Sequence, residues 1–83
     1  MKTAIKFSAT WCGPCKEYAK IWDQVKTQYP DWTFIEADVD KDHELAREYT
    51  IQKVPQTIIL INGTLTERRS GLLSQKELRE LLA

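Results

Sequence analysis

Cysteine is scarce in this chain. The 83 residues hold two, Cys12 and Cys15, and no third. A secreted scaffold spreads its cysteines to close long loops, so a disulfide framework is excluded. Histidine is scarcer still, with His43 alone. Zinc takes four ligands, so a protein-only zinc site within one chain is unsupported. Excess charge is also missing: 12 basic residues balance 12 acidic ones. No basic field therefore argues for nucleic acid or an anionic membrane. No apolar run reaches the length of a signal peptide or a membrane span, which points to a cytoplasmic protein. Asp38, Asp40 and Asp42 resemble part of a calcium loop, but the required glycine and distal glutamate are absent, so turn and capping chemistry explains them better. There is no repeat, linker or low-complexity segment. The length suits one domain over residues 1–83 with a modest core.

What is present centres on Trp11-Cys12-Gly13-Pro14-Cys15. The motif follows a short apolar run and opens a long amphipathic stretch. Two thiols at this spacing, at a strand-to-helix junction, are the signature of dithiol–disulfide exchange. The first sulfur sits at a helix N-terminus, where free N–H groups and the dipole favour an anion. The thiolate is the nucleophile, so its stabilisation matters. The second sulfur lies one turn on, within reach of a disulfide.

The rest of the chain reads in order. Residues 3–7 form a buried strand. A helix runs from Gly13 to about Tyr29, with Cys15, Tyr18, Ala19, Trp22, Val25 and Tyr29 inward. Pro14 fits its first turn and Pro30 marks its end. A second strand over 32–39 is parallel to the first, because a helix intervenes. Asp40 or Asp42 caps a short helix over 43–49. Residues 57–61 form the most strand-like run. Asn62-Gly63 then turns it into an edge strand over 64–70, blunted by Glu67, Arg68 and Arg69. Ser74 and Glu77 form a capping box for a last helix carrying Leu78, Leu81 and Leu82. The fold class is α/β, in the order βαβαββα: a four-stranded mixed sheet with helices on both faces.

Cys12-Gly13-Pro14-Cys15 after Trp11, then Val54-Pro55, then Gly71, resemble in type and order the motifs of the thioredoxin family. The resemblance covers the chain from Ala4 onward and implies strand order 2-1-3-4, with strand 4 an antiparallel edge. The family's leading strand and helix have no counterpart, so a trimmed, glutaredoxin-sized version of the fold is expected. By resemblance, Cys12 is the attacking thiolate and Cys15 the resolving thiol. Pro55 matches the family's cis-proline. Trp11, Gly13, Pro14, Val54 and Gly71 make an apolar rim for substrate. The implied activity is protein-disulfide reduction by a monomer with no cofactor beyond the Cys12–Cys15 redox pair. Its partners are disulfide-containing proteins and a thioredoxin-reductase-type electron donor. A glutathione-dependent glutaredoxin is the nearer alternative, but glutaredoxins typically carry Cys-Pro-Tyr-Cys and an acidic residue near the last helix. A binding module with incidental thiols is the alternative of another class.

One position departs from the family pattern. Lys6 stands where the family usually has a buried carboxylate, and Glu36 where it often has a lysine. Exchanged charges on neighbouring strands keep local neutrality. The expectation is that Glu36 accepts the Cys15 proton with Lys6 as its partner. The alternative is a surface Lys6 that snorkels with no role.

Overall fold

The computed structural model describes all 83 residues. Seven elements follow in order: β1 Lys2–Ser8, α1 Gly13–Lys26, β2 Trp32–Asp38, α2 His43–Glu48, β3 Gln56–Ile61, β4 Thr64–Ser70 and α3 Gln75–Leu82. The sheet order is β2-β1-β3-β4. β1 pairs parallel with β2 and antiparallel with β3, and β3 pairs antiparallel with β4. The expected mixed sheet, strand order and antiparallel edge are all present.

Strand β1 is central and covered on both faces, so its apolar residues do not alternate with polar ones. Ala4 belongs to the core beneath α1 and α3, with Tyr18, Trp22, Val25, Ile59, Leu78 and Leu82. Ile5 and Phe7 belong to the core beneath α2, with Ala37, Ala46 and Ile58. Helices thus cover both faces. Trp22 anchors the first core: its ring meets Phe34 edge-on at 5.4 Å and Tyr18 at 6.1 Å.

Helix α1 stops at Lys26, three residues before the expected Tyr29. Pro30 is the physical reason, because its ring disfavours helical backbone at the residue before it. The chain tightens instead. Gln28 N–H donates to Val25 O at 2.9 Å, and Tyr29 N–H donates to Lys26 O at 3.3 Å. Tyr29 still packs on the core from this turn, and its hydroxyl donates to Arg79 O at 3.4 Å.

The acidic turn after β2 also differs from expectation. Strand β2 ends at Asp38 rather than Val39. Asp42 occupies the N-cap of α2, but its side chain makes no capping bond. Its carboxylate accepts from Asp38 N–H at 2.9 Å, and Asp38 Oδ1 accepts from Asp40 N–H at 2.8 Å. Here local side chain-to-backbone bonding closes the turn in place of a cap.

Helix α2 ends at Glu48, and Tyr49 packs against Phe7 from the C-cap position. Thr50 follows with φ of +53°. Thr50 N–H donates to Arg47 O at 3.1 Å, and Ile51 N–H donates to Ala46 O at 2.9 Å. That is the Schellman pattern, with a β-branched residue where glycine is usual. The Asn62-Gly63 turn has φ of +52° and +84°, the hairpin geometry its sequence predicts. The capping box is also formed: Glu77 N–H donates to Ser74 Oγ at 3.1 Å, and Ser74 N–H donates to Glu77 Oε1 at 3.0 Å. Leu73 and Leu78 flank the cap and share the core, as a hydrophobic staple does.

Two predictions follow from these helix ends. Thr50→Gly relieves the left-handed strain and stabilises the fold by about 1 kcal/mol. A urea midpoint below that of the parent protein counts against it. The second concerns Glu77, whose carboxyl is held below its usual range by the Ser74 backbone N–H. Its contribution is present above the ordinary glutamate range and is lost as pH falls through the lowered value. Glu77→Gln therefore shows a smaller loss of urea stability between about pH 7 and about pH 3 than the parent. Equal losses refute the assignment.

Candidate active site

The C-terminal ends of β1, β2 and β4 and the N-terminal end of β3 meet at one end of the sheet. Loops from all four strands gather there. Ala9 turns the chain out of β1, and Cys12 N–H donates to Ala9 O at 3.2 Å. Cys12 is the N-cap of α1, and Pro14 falls in the first turn. The Cys15 N–H donates to Cys12 Sγ at 3.2 Å. A helix-start donor is thus aimed at the first sulfur, as the motif predicts.

Cys12 and Cys15 are joined as a disulfide. Both are nearly enclosed, at 6 % and 4 % exposure, so only an edge of the bridge meets solvent. Their apolar surround is Ala9, Val39 and Val54. Cys12 Sγ lies 3.7 Å from Val54 O, the carbonyl just before the cis Val54–Pro55 bond. Pro55 is buried beneath, and its carbonyl accepts from Gly71 N–H at 2.9 Å. Gly71 has φ of +92°, which a side chain would resist. Gly13 and Pro14 are exposed, and Val54 and Gly71 are partly so. The structure therefore brings Trp11, Gly13, Pro14, Val54, Pro55 and Gly71 around the two sulfurs.

Trp11 is 70 % exposed, unusual for so large an apolar ring. Its Nε1–H donates to Asp40 Oδ2 at 2.8 Å, so the ring is held rather than loose. Asp40 in turn belongs to the acidic turn, and its carbonyl lies 2.7 Å from the His43 ring nitrogen. A groove of about 400 Å³ opens beside the ring, lined by Trp11, Val39, Ile51, Gln52, Lys53 and Val54. Asp40, Val39 and Ile51 were not among the residues the sequence singled out for the site. Their signal was faint: the first reads as turn chemistry, and the other two as strand-end and loop hydrophobics.

Lys6 and Glu36 are register partners on β1 and β2, and Lys6 Nζ donates to Glu36 Oε1 at 3.2 Å. The surface alternative for Lys6 is overturned. Its side chain is 3 % exposed, while that of Glu36 is 49 % exposed. The ammonium also lies 5.6 Å from the Trp22 ring centre. Glu36 is shared with Lys26, at 3.5 Å. Trp22 stands seven residues beyond Cys15 on α1, about 10 Å along the axis. The pair thus underlies the middle of the helix, and its ionic contacts are with each other and Lys26. No hydrogen bond links Glu36 to either sulfur, so the direct proton-acceptor geometry expected of it is not formed. Tyr18, one turn beyond Cys15 on α1, and Thr57, the β3 register partner of Lys6, bring their hydroxyls to 2.6 Å. Burial pushes the Tyr18 phenol up to about 12, with the Thr57 hydrogen bond partly opposing.

The comparisons with known proteins agree with this geometry. The family model described as thioredoxin matches residues 1–83. A thioredoxin of Mycoplasmoides gallisepticum is 40% identical over 81 residues, covering 98% of this chain and 81% of its own length. Thioredoxin-1 of Schizosaccharomyces pombe is 40% identical over 67 residues, covering 81% of this chain and 65% of its own. Among solved structures, thioredoxin of Fasciola hepatica superposes with a TM-score of 0.92 at 30% identity, over 98% of this chain and 77% of that one. Its family model matched from end to end and its paired sulfurs set at a helix start, the chain belongs to the thioredoxin family and is a thiol–disulfide oxidoreductase.

Proposed function

We propose that the protein reduces disulfides in other proteins. One observation carries the reading: a sulfur that receives a helix-start N–H while bridged to its neighbour one turn away. In the reduced protein, the Cys12 thiolate attacks a substrate disulfide. A mixed disulfide forms, and the first substrate thiolate leaves. Cys15 then gives up its proton and attacks Cys12 Sγ, releasing the second substrate thiolate. Two electrons pass to the substrate, and the Cys12–Cys15 disulfide remains. A thioredoxin-reductase-type donor returns the electrons. The pair itself stores them, so the cycle requires no cofactor. Trp11, Gly13, Pro14, Val54 and Gly71 present the docking rim, with Pro55 buried beneath it. We assign the activity to a cytoplasmic monomer, in a compartment where the pair can cycle between thiol and disulfide.

Insulin reduction tests this reading. Turnover is expected with NADPH and thioredoxin reductase and not with glutathione and glutathione reductase. Cys15→Ser should stop turnover and accumulate a mixed disulfide through Cys12. Turnover sustained by glutathione alone would instead identify a glutaredoxin activity.

The Lys6–Glu36 pair acts on Cys15, in this proposal, as a field rather than as a direct proton acceptor. General-base transfer needs hydrogen-bond reach or one bridging water. Glu36 balances the buried ammonium, so removing its charge leaves Lys6 less compensated. A more positive interior favours a thiolate. Glu36→Gln should therefore move the pH profile of the resolving step to lower pH. An unchanged profile removes the pair from the mechanism.

A further inference from the structure

A second hollow adjoins the apolar groove. It measures about 340 Å³ and is lined by Thr50, Gln52, Lys53, Gln56, Arg68 and Ser70. Two cations and four neutral hydrogen-bonding side chains face it, and no carboxylate does. Lys53 and Arg68 form no salt bridge, whereas Arg69 is paired with Glu67. The hollow and the groove share Gln52 and Lys53 in their linings.

The arrangement is built rather than incidental. Gln56 is 4 % exposed, yet its amide lines the hollow. Hydrogen bonding assigns that amide: its nitrogen donates to Lys53 O at 3.2 Å, and its oxygen accepts from Arg68 Nη1 at 3.0 Å. A buried amide thus orients the guanidinium and ties down the loop that carries Lys53. A second feature is independent of the first. The β3–β4 ladder shifts register between Ile59 and Leu60, a β-bulge at Thr66. Without that shift, Glu67 would face Ile58, and Arg68 would face Thr57 on the α1 side. With it, Arg68 partners Ile58, and Ser70 partners Gln56, on the α2 face. The bulge turns the unpaired cation toward the hollow and Glu67 away from it. Bulges beside active sites commonly re-aim side chains in this way.

We propose that this hollow binds a carboxylate side chain of the substrate protein, within three residues of the cysteine that Cys12 attacks. The inference rests on the reductase reading and adds a sequence preference to it. Val54 O lies 3.7 Å from Cys12 Sγ, so substrate backbone passing Val54 is set by the mixed disulfide. A strand advances about 3.3 Å per residue, so two or three residues reach the side chains of Lys53 and Arg68. Charge-assisted bonds to a guanidinium are the stronger kind, and Arg can take a carboxylate through two of them.

The test uses the pre-reduced protein and peptides carrying one disulfide. Glu, Gln or Lys is placed in turn at each of three positions on either side of the attacked cysteine. The second-order rate constant is read by stopped-flow tryptophan fluorescence. At one or two positions, Glu should exceed Gln by about threefold to tenfold, with Lys the slowest. The Glu/Gln ratio should fall toward one in Arg68→Gln and Lys53→Gln. It should also fall as ionic strength rises from about 0.02 M to about 0.3 M. Arg68→Lys should keep part of the ratio, and Lys76→Gln, an exposed cation on α3, should keep all of it. A wild-type ratio of one at every position overturns the proposal, as does a ratio that survives in the Arg68→Gln/Lys53→Gln double variant. Failure to reduce any peptide, Gln-containing ones included, instead overturns the reductase reading beneath it.

Discussion

A sulfur that must become an anion on demand needs donors already in place, because nothing else in an apolar setting will hold the charge. The Cys15 N–H at 3.2 Å from Cys12 Sγ is that donor. It is free because the first turn of a helix has no preceding carbonyls to bond. The rest of the fold keeps this short contact in position. Strand β1, buried on both faces, fixes where the loop begins, and Ala9 O ties Cys12 to it. Tyr18, Trp22 and Val25 then clamp the helix onto the sheet, so its first turn cannot drift. A helix start on a loosely packed element would give the same sequence motif without a fixed site.

Convergence of the other site residues is a consequence of topology. β1 and β2 run parallel, and β3 runs against them, so the end of β2 and the start of β3 lie at the same edge as Cys12. β4 reverses again and delivers Gly71 to that edge, where its N–H meets Pro55 O. Pieces near residues 11, 39, 54 and 71 thus meet because each strand ends or begins there. The acidic turn adds precision. It spends the Asp38 and Asp42 carboxylates on its own backbone and leaves Asp40 to hold Trp11. An exposed indole fixed at one point presents a large apolar face without the entropy cost of ordering it at each encounter.

Much of this was legible in the sequence because it rests on local rules. The Asn62-Gly63 turn, the capping box and the cysteine placement follow from turn chemistry or a short motif, whereas the strand order came with the family resemblance. The misses arise where neighbours compete. Helix periodicity carried α1 to Tyr29, but the backbone clash at Pro30 ends it sooner. Asp42 had the right position for a cap, yet its carboxylate is taken by the Asp38 N–H. Lys6 could not be placed inside from its charge alone. Its burial depends on Glu36 lying opposite and on the Trp22 ring beside it, both long-range facts. Arg68 is the clearest case. Its face is set by a one-residue bulge at Thr66, which inverts every side chain beyond it in β4.

Chemistry and selection therefore overlap only in the loop between α2 and β3. The sulfur chemistry depends on the start of α1 and on the cis turn before β3. Charge selection depends on the β3–β4 hairpin and the loop after α2, which share no residue with the cysteine motif. Substitution at Lys53 or Arg68 can alter which disulfides are approached while the N–H aimed at Cys12 stays unchanged. The interior follows the opposite logic. Lys6 is enclosed, and taking a charge out of water costs several kcal/mol unless it is paired. Glu36 and the Trp22 ring offset that cost only while both strands hold their register. Glu36 is half-exposed, so its carboxylate keeps contact with water while Lys6 does not. In the proposed field role, the buried cation is balanced from the water side, where Glu36 meets both Lys6 and Lys26. In this two-electron couple about 30 mV of potential corresponds to 1.4 kcal/mol, so the field proposed for the pair is read most directly as a shift in potential.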